Sequence, residues 1–194
     1  MIPKGRKCWP ESCLYILGCK LSVTYRPMSD FRCKLLVLPY STTKMEYFPG
    51  NIINRSSINY KQKIIGKGEQ ISTPGTVYMQ KAVDLDHLEA IAFLKIDPDS
   101  PESSLKIGTK EVLKMVEKLK SGTELDSIIF PICSALGSPA AVIQPLLNNL
   151  ENCAKIKEVY VTTNSSECFV RAMNEFTQQM QVLIEDNRSY LIDR

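Results

Sequence analysis

The sequence predicts an α/β fold of three layers, in which helices cover both faces of a mixed β-sheet. Four short segments carry strand signals, and each is a continuous apolar run rather than an alternation of apolar and polar residues. Strands that are covered on both faces need such runs. In the second half of the chain these runs alternate with amphipathic helical patterns, as parallel strand pairs require. The predicted strands are Leu35–Leu38, Ala90–Leu94, Ser127–Pro131 and Val159–Thr162.

The first predicted helix begins at Thr109, after a loop over residues 97–104. Pro98 and Pro101 remove backbone donors and disfavour helix in the residues before them, so this stretch is interpreted as a connection within one domain. Thr109 can cap the helix, and Gly122 stands just past its end. The apolar residues between them fall on one helical face.

Two further helices are predicted. Ser138 and Pro139 begin the first of them, because a proline at the first helical position loses no hydrogen bond, and Pro145 is expected to kink or interrupt it. Ser165 or Ser166 caps the last helix. Its apolar stripe consists of Phe169, Ala172, Met173, Phe176, Met180 and Leu183.

The composition is that of one globular domain. The chain has 194 residues, 44% hydrophobic and 23% charged, with a formal net charge of +3. No apolar run reaches the roughly 18 residues that a bilayer span needs, and the basic start leads into Cys8, Trp9 and Pro10 rather than an apolar signal core. We expect a tail over residues 1–13, one domain over 14–184, a second tail over 185–194, no membrane partner, and a cytoplasmic or nuclear location.

No metal or cofactor is predicted. The seven cysteines, in a chain without an export signal, are expected to be reduced thiols. Cys8, Cys13, Cys19 and Cys33 lack the C-x₂-C spacing that is typical of zinc sites. The single histidine, His87, lies among acidic residues in a stretch typical of a solvated turn, and the phosphate-binding patterns GxxxxGK[ST] and GxGxxG are absent.

Residues 127–141 are the most informative for function. A buried strand is followed by a short loop of small residues, and Ser138 and Pro139 then begin a helix. This geometry is expected to direct unpaired backbone N–H groups and the positive end of the helix dipole at one point, where an anion such as phosphate would be stabilised. An ordinary strand-to-helix turn is the alternative. Cys133 lies in the same loop and is interpreted as a packing residue rather than a nucleophile.

The sequence resembles the macro domain family, whose members bind ADP-ribose. Ser127–Pro131 is similar to the family's Ser-Ile-Ala-Phe-Pro strand, and Ala140–Ala141 to the start of the helix that follows its second phosphate loop. Gly68–Gly75 resembles the Gly-Glu-Ala-x-x-Thr-x-Gly segment, Leu88–Ile96 stands where the next strand follows, and Val159–Thr162 precedes the closing helix. The resemblance covers about residues 14–182 and implies a macro-domain-like fold.

The resemblance also implies a set of site residues, with departures from the family pattern. Val37 and Tyr40 stand where the family has two asparagines, the glycine-rich first loop is reduced to residues 48–51, and the second loop over residues 133–138 is short and keeps one glycine. Replacing glycines limits how closely a backbone can approach a diphosphate. The implied ligand-binding residues are Tyr40, Gly50, Asn51, Ile52, Ser134, Ala135, Leu136, Gly137 and Ser138; none is assigned a catalytic role.

Three functions follow from these observations. The first is a binding module for ADP-ribose or a related nucleotide, with reduced phosphate loops and weak or no hydrolase activity. The second is an interaction domain of the same fold that binds a protein or nucleic acid without a nucleotide pocket. A basic group would serve such a nucleic-acid surface and consists of Lys44, Arg55, Lys61, Lys63 and Lys67. The third is an ADP-ribosyl hydrolase.

Overall fold

The computed structural model describes residues 10–27, 31–41, 57, 59–60, 73–85, 87–119 and 125–185, with side chains up to residue 182. These residues form a mixed seven-stranded sheet with the strand order β1-β2-β7-β6-β3-β5-β4. Strands β2, β7, β6, β3 and β5 are parallel, and the edge strands β1 and β4 are antiparallel to their neighbours. The strands are β1 (Glu11–Ile16), β2 (Cys19–Tyr25), β3 (Leu35–Tyr40), β4 (Val77–Lys81), β5 (Ala90–Lys95), β6 (Ser127–Pro131) and β7 (Glu158–Thr163).

The four predicted strands are confirmed as β3, β5, β6 and β7. They form the interior of the sheet together with β2, and burial on both faces explains their continuous apolar sequences. The first strand begins at Glu11, inside the stretch that we expected to be a tail, and it pairs with β2 from Glu11↔Thr24 to Ile16↔Cys19.

Three α-helices follow the fifth strand: α1 (Pro101–Lys118), α2 (Ala140–Asn149) and α3 (Ser166–Glu185). Short 3₁₀ turns lie at Ser134–Leu136, before α2, and at Leu150–Asn152, after it. All three helices contribute to one hydrophobic cluster on the same face of the sheet, through residues such as Val112, Ile143 and Phe176.

The start of α1 corrects the sequence prediction. The helix begins at Pro101, within the predicted loop, and Thr109 lies in its middle instead of at its cap. Pro101 stands in the first turn, where a missing N–H costs nothing. The Ser104 hydroxyl accepts a hydrogen bond from the backbone N–H of Asp97 at 3.0 Å, and this bond joins the turn to the helix.

The other two helices follow the prediction more closely. The regular part of α2 begins at Ala140, one residue after Pro139. We expected Pro145 to kink or interrupt this helix, but the helix is not interrupted there and continues to Asn149. Ser165 is the cap of α3, since its hydroxyl accepts a hydrogen bond from the N–H of Cys168 at 3.3 Å.

A second hydrophobic cluster covers the opposite face of β3 and β5. Phe31, Tyr60 and Leu85 are buried there against strand residues such as Leu38 and Phe93. The rings of Tyr60 and Phe93 lie 5.8 Å apart, and the Tyr60 hydroxyl accepts a hydrogen bond from the N–H of Val83 at 2.9 Å. The sheet therefore has a buried layer on both faces.

Charged residues join the amino ends of the parallel strands. Lys34 precedes β3 and Asp126 precedes β6, and their charged atoms lie 3.4 Å apart; Lys157, before β7, is 3.5 Å from Asp126. Lys34 also lies 3.8 Å from Glu89, which precedes β5. Partly exposed ion pairs of this kind add little stability, but they mark the edge of the sheet opposite to the carboxyl ends of these strands.

The position of Thr109 leads to a stability prediction. Its side chain is buried in α1, and within the part of the chain that the structure describes its hydroxyl has no hydrogen-bond partner. Thr109→Val keeps the shape and removes the unpaired hydroxyl, so it should stabilise the protein by about 1 kcal/mol. Urea unfolding of Thr109→Val measures this change in the free energy of unfolding. Thr109→Ala, which removes the methyl together with the hydroxyl, is the comparison. A Thr109→Val variant less stable than the natural protein would contradict the prediction.

Candidate functional site

The carboxyl ends of the parallel strands define the candidate site. In the register of the sheet Tyr25 lies beside Thr163 and Pro131 beside Thr162, so β2, β7 and β6 end at one edge. Tyr40 and Lys95 end β3 and β5 at the same edge. Ligands of open α/β sheets bind outside the carboxyl ends of the strands.

The second loop, residues 133–138, leaves β6 at this edge and forms one 3₁₀ turn. The N–H of Leu136 donates to the carbonyl of Cys133 at 3.0 Å, and the N–H of Gly137 donates to the carbonyl of Ser134 at 3.2 Å. Gly137 has φ +84°, a left-handed conformation that glycine adopts without strain. Leu136 is buried and anchors the turn, whereas Ser134 and Ala135 are exposed at its tip.

The N–H groups at the start of α2 are paired within the chain. The N–H of Ser138 donates to the Glu102 carboxylate, with 2.7 Å between nitrogen and Oε1. The Ser138 hydroxyl accepts from the N–H of Ala140 at 3.3 Å, and the Ser138 carbonyl accepts from the N–H of Ala141 at 3.0 Å. The expected convergence of unpaired donors is therefore not observed here, because these N–H groups have separate acceptors within the chain and only that of Ser138 meets an anionic side chain.

Tyr40 is buried at the end of β3, with 1% of its surface exposed. Its ring meets that of Phe93 edge-on at 6.4 Å and belongs to the second hydrophobic cluster, whereas Leu136 belongs to the first. Burial raises the pKa of the Tyr40 hydroxyl to about 12. Tyr40 is therefore protonated at neutral pH, and it packs in the second hydrophobic cluster at the carboxyl edge of the sheet.

Cys133 packs against the first hydrophobic cluster, as the sequence analysis predicted. Burial raises the pKa of its thiol, although hydrogen bonds from the backbone of Leu136 and Ala135 act in the opposite direction. A protonated thiol is a poor nucleophile. No group of three or more metal-binding side chains occurs among the described residues.

Several predicted residues lie outside the described residues. They include the first-loop residues Gly50, Asn51 and Ile52, and all five members of the basic group. His87 is described, and it is exposed in a turn with φ +67°.

Two residues at the candidate site were missed in the sequence. Glu102 is one of them, and the other is Arg26, which follows β2. The Arg26 guanidinium lies 4.5 Å from the ring centroid of Phe31, and the Arg26 carbonyl accepts a hydrogen bond from the Thr162 hydroxyl of β7. Neither residue belongs to a recognisable motif, so only their contacts in the folded chain reveal them.

Comparison with solved structures identifies the fold. A mutant of the Oceanobacillus iheyensis macrodomain matches 93% of this chain and 98% of its own length, with a TM-score of 0.73 and 16% identity. A second mutant of that macrodomain, with ADPR (ADP-ribose), covers 91% and 100%, with a TM-score of 0.67 and 16% identity. The Trypanosoma brucei macrodomain in complex with ADP covers 80% and 68%, with a TM-score of 0.57 and 12% identity.

The chain therefore has the macro-domain fold, carried by a divergent sequence. No family model matches it, and no curated protein matches it either. The three-layer α/β/α architecture that the sequence predicted is confirmed. Among the described residues, no helix combines the length and the apolar character that a membrane span requires.

Proposed function

We propose that this chain is a binding module for ADP-ribose or a related nucleotide, located in the cytoplasm or nucleus. The observation that carries the proposal is the position of the second loop, which follows β6 at the carboxyl edge of a macro-domain sheet, with an exposed tip at Ser134 and Ala135. Solved macrodomains that share this fold hold ADPR in one case and ADP in another.

In this proposal the second loop, residues 133–138, faces the phosphates through Ser134 to Ser138. Gly50, Asn51 and Ile52, which lie outside the described residues, are proposed as further ligand-binding residues, together with Tyr40. Backbone N–H groups bind phosphate oxygens best where side chains do not intrude. Gly137 has no side chain of its own, but the Glu102 side chain occupies the space beside it. With so few glycines in the two loops, we expect weak affinity.

We propose binding without hydrolysis. Val37 and Tyr40, which stand at the positions of the family's asparagines, are both buried. An aliphatic side chain cannot orient a ribose or a water molecule, and the raised pKa of Tyr40 leaves no base at its position. An assay that measures free ADP-ribose released from a modified protein should therefore show no activity.

Calorimetric titration with ADP-ribose tests the binding function. We expect measurable heat at millimolar ligand, and Ala135→Asp should weaken the affinity about tenfold, because it places a negative charge at the loop tip where the diphosphate binds. Val170→Asp is the matched control, since Val170 is 56% exposed on α3 and the variant carries the same added charge. It should bind like the natural protein.

The opposite results would reject the proposal. Absence of both heat and thermal stabilisation at millimolar ADP-ribose would exclude the nucleotide site and favour the alternative of an interaction domain for a protein or nucleic acid. Equal weakening by Ala135→Asp and Val170→Asp would place binding away from the second loop.

A further inference from the structure

The Glu102 side chain is in direct contact with the second loop. Glu102 lies in the first turn of α1, 36 residues before Ser138, and its carboxylate accepts the Ser138 N–H at 2.7 Å. A Cβ added to Gly137 would lie 2.6 Å from Glu102 Cγ and 2.7 Å from Oε1. The glycine therefore provides the space in which the carboxylate rests directly on the loop backbone.

This carboxylate lies where an anionic ligand would be favoured. The amino end of a helix attracts negative charge through its dipole and its N–H groups. At α2, the Ser138 N–H points to Glu102, and the donors that follow are used by Ser138 itself and by Pro139. A phosphate that bound to the Ser138 N–H would have to displace the carboxylate or approach it closely.

Displacement is feasible because Glu102 is exposed and its side chain is long. The carboxylate costs little to move into water, yet while it is in place it repels a second anion. Its effect should therefore be a reduced affinity for anions, with no effect on neutral ligands.

We infer that Glu102 is an autoinhibitory, specificity-determining residue that competes with the ligand's phosphate for the Ser138 N–H. This inference rests on the proposed function, since it concerns the second loop as a phosphate-binding wall. With the Glu102 carboxylate in place, the second loop should bind phosphate more weakly than the same backbone would without it.

Titration with inorganic pyrophosphate tests the inference, with the Ser138 amide followed by NMR. Glu102→Ala should bind pyrophosphate about tenfold more tightly than the natural protein. Glu102→Gln, which keeps the shape and a hydrogen-bond acceptor, should show a smaller gain that reports the charge alone. Glu167→Gln is the matched control, because Glu167 stands in the first turn of α3 and its replacement by glutamine removes the same charge. This variant should bind pyrophosphate with the affinity of the natural protein.

Two results would overturn the inference. One is equal pyrophosphate affinity in the natural protein and both Glu102 variants, including no binding to any of them; the other is an equal gain in Glu167→Gln. Thermal unfolding verifies that each variant is folded, and Glu102→Asp, which draws the carboxylate back, replaces any variant that is not. ADP-ribose titration of the natural protein judges the proposed function separately, so that function can hold while this inference fails.

Discussion

Replacing Gly108 with alanine should destabilise the protein by about 2 kcal/mol, although alanine is normally the better helix residue. Gly108 lies in α1 against β5, and an added Cβ would stand 2.4 Å from Cγ of Leu94 and 2.5 Å from its Cδ1. Leu94 is fully buried, so it has no room to move. The overpacking outweighs the gain in helix propensity, and urea unfolding of Gly108→Ala measures the difference.

A compensating substitution provides the control for this prediction. Leu94→Val removes a methylene at the point of contact, so the double variant Gly108→Ala with Leu94→Val should be more stable than the sum of the two single changes predicts. Additive effects would show that the helix and strand do not meet as closely as the distances indicate.

Replacing Val37 with asparagine should destabilise the protein by about 3 kcal/mol. The sequence resemblance matches Val37 with one of the family's asparagines, but in this chain its side chain is fully buried in the first hydrophobic cluster. The substitution buries an amide among apolar side chains and removes apolar contacts. Restoring the family residue is therefore expected to damage the core without creating a site.

Val37→Ala separates the two contributions. It removes apolar contacts without introducing a polar group, and it should cost about 2 kcal/mol. If Val37→Asn were no more destabilising than Val37→Ala in the same urea titration, position 37 would tolerate an amide and the description of this part of the core would be wrong.

Four of the five interior strands could be predicted from the sequence because burial on both faces leaves a strong signal. β3, β5, β6 and β7 each contain one of the predicted apolar runs. The remaining strands lack that signal. β2 alternates Leu21 and Val23 with Ser22 and Thr24, and the edge strands β1 and β4 each have a single partner, so their sequences need fewer apolar residues.

The start of α1 could not be predicted because proline has two opposite effects. Pro98 and Pro101 were interpreted together as helix breakers, but Pro101 falls in the first turn of the helix, where proline is favoured. A carboxylate of the preceding turn supports this start, since Asp97 Oδ2 accepts a hydrogen bond from the Ser100 hydroxyl at 2.9 Å. Composition alone does not separate a loop from a helix start of this kind.

The position of the second loop in the fold was predictable from the sequence, but its contacts were not. The second loop could be located because it follows a buried strand and precedes a helix, and this order is local in sequence. The bond between Glu102 and Ser138 depends on how α1 packs beside α2, and residues 36 positions apart give no sequence signal for it. Val37 and Tyr40 show the same limit, because their burial appears only in the folded sheet.

NMR titration of the uniformly ¹⁵N-labelled protein with ADP-ribose tests the central claim most directly. A nucleotide site at the carboxyl edge predicts shifts concentrated in the amides of residues 132–138 and at the strand ends Tyr25 and Thr163. Shifts concentrated instead at the opposite edge, around Lys34, Asp126 and Lys157, or no shifts at millimolar ligand, would contradict it.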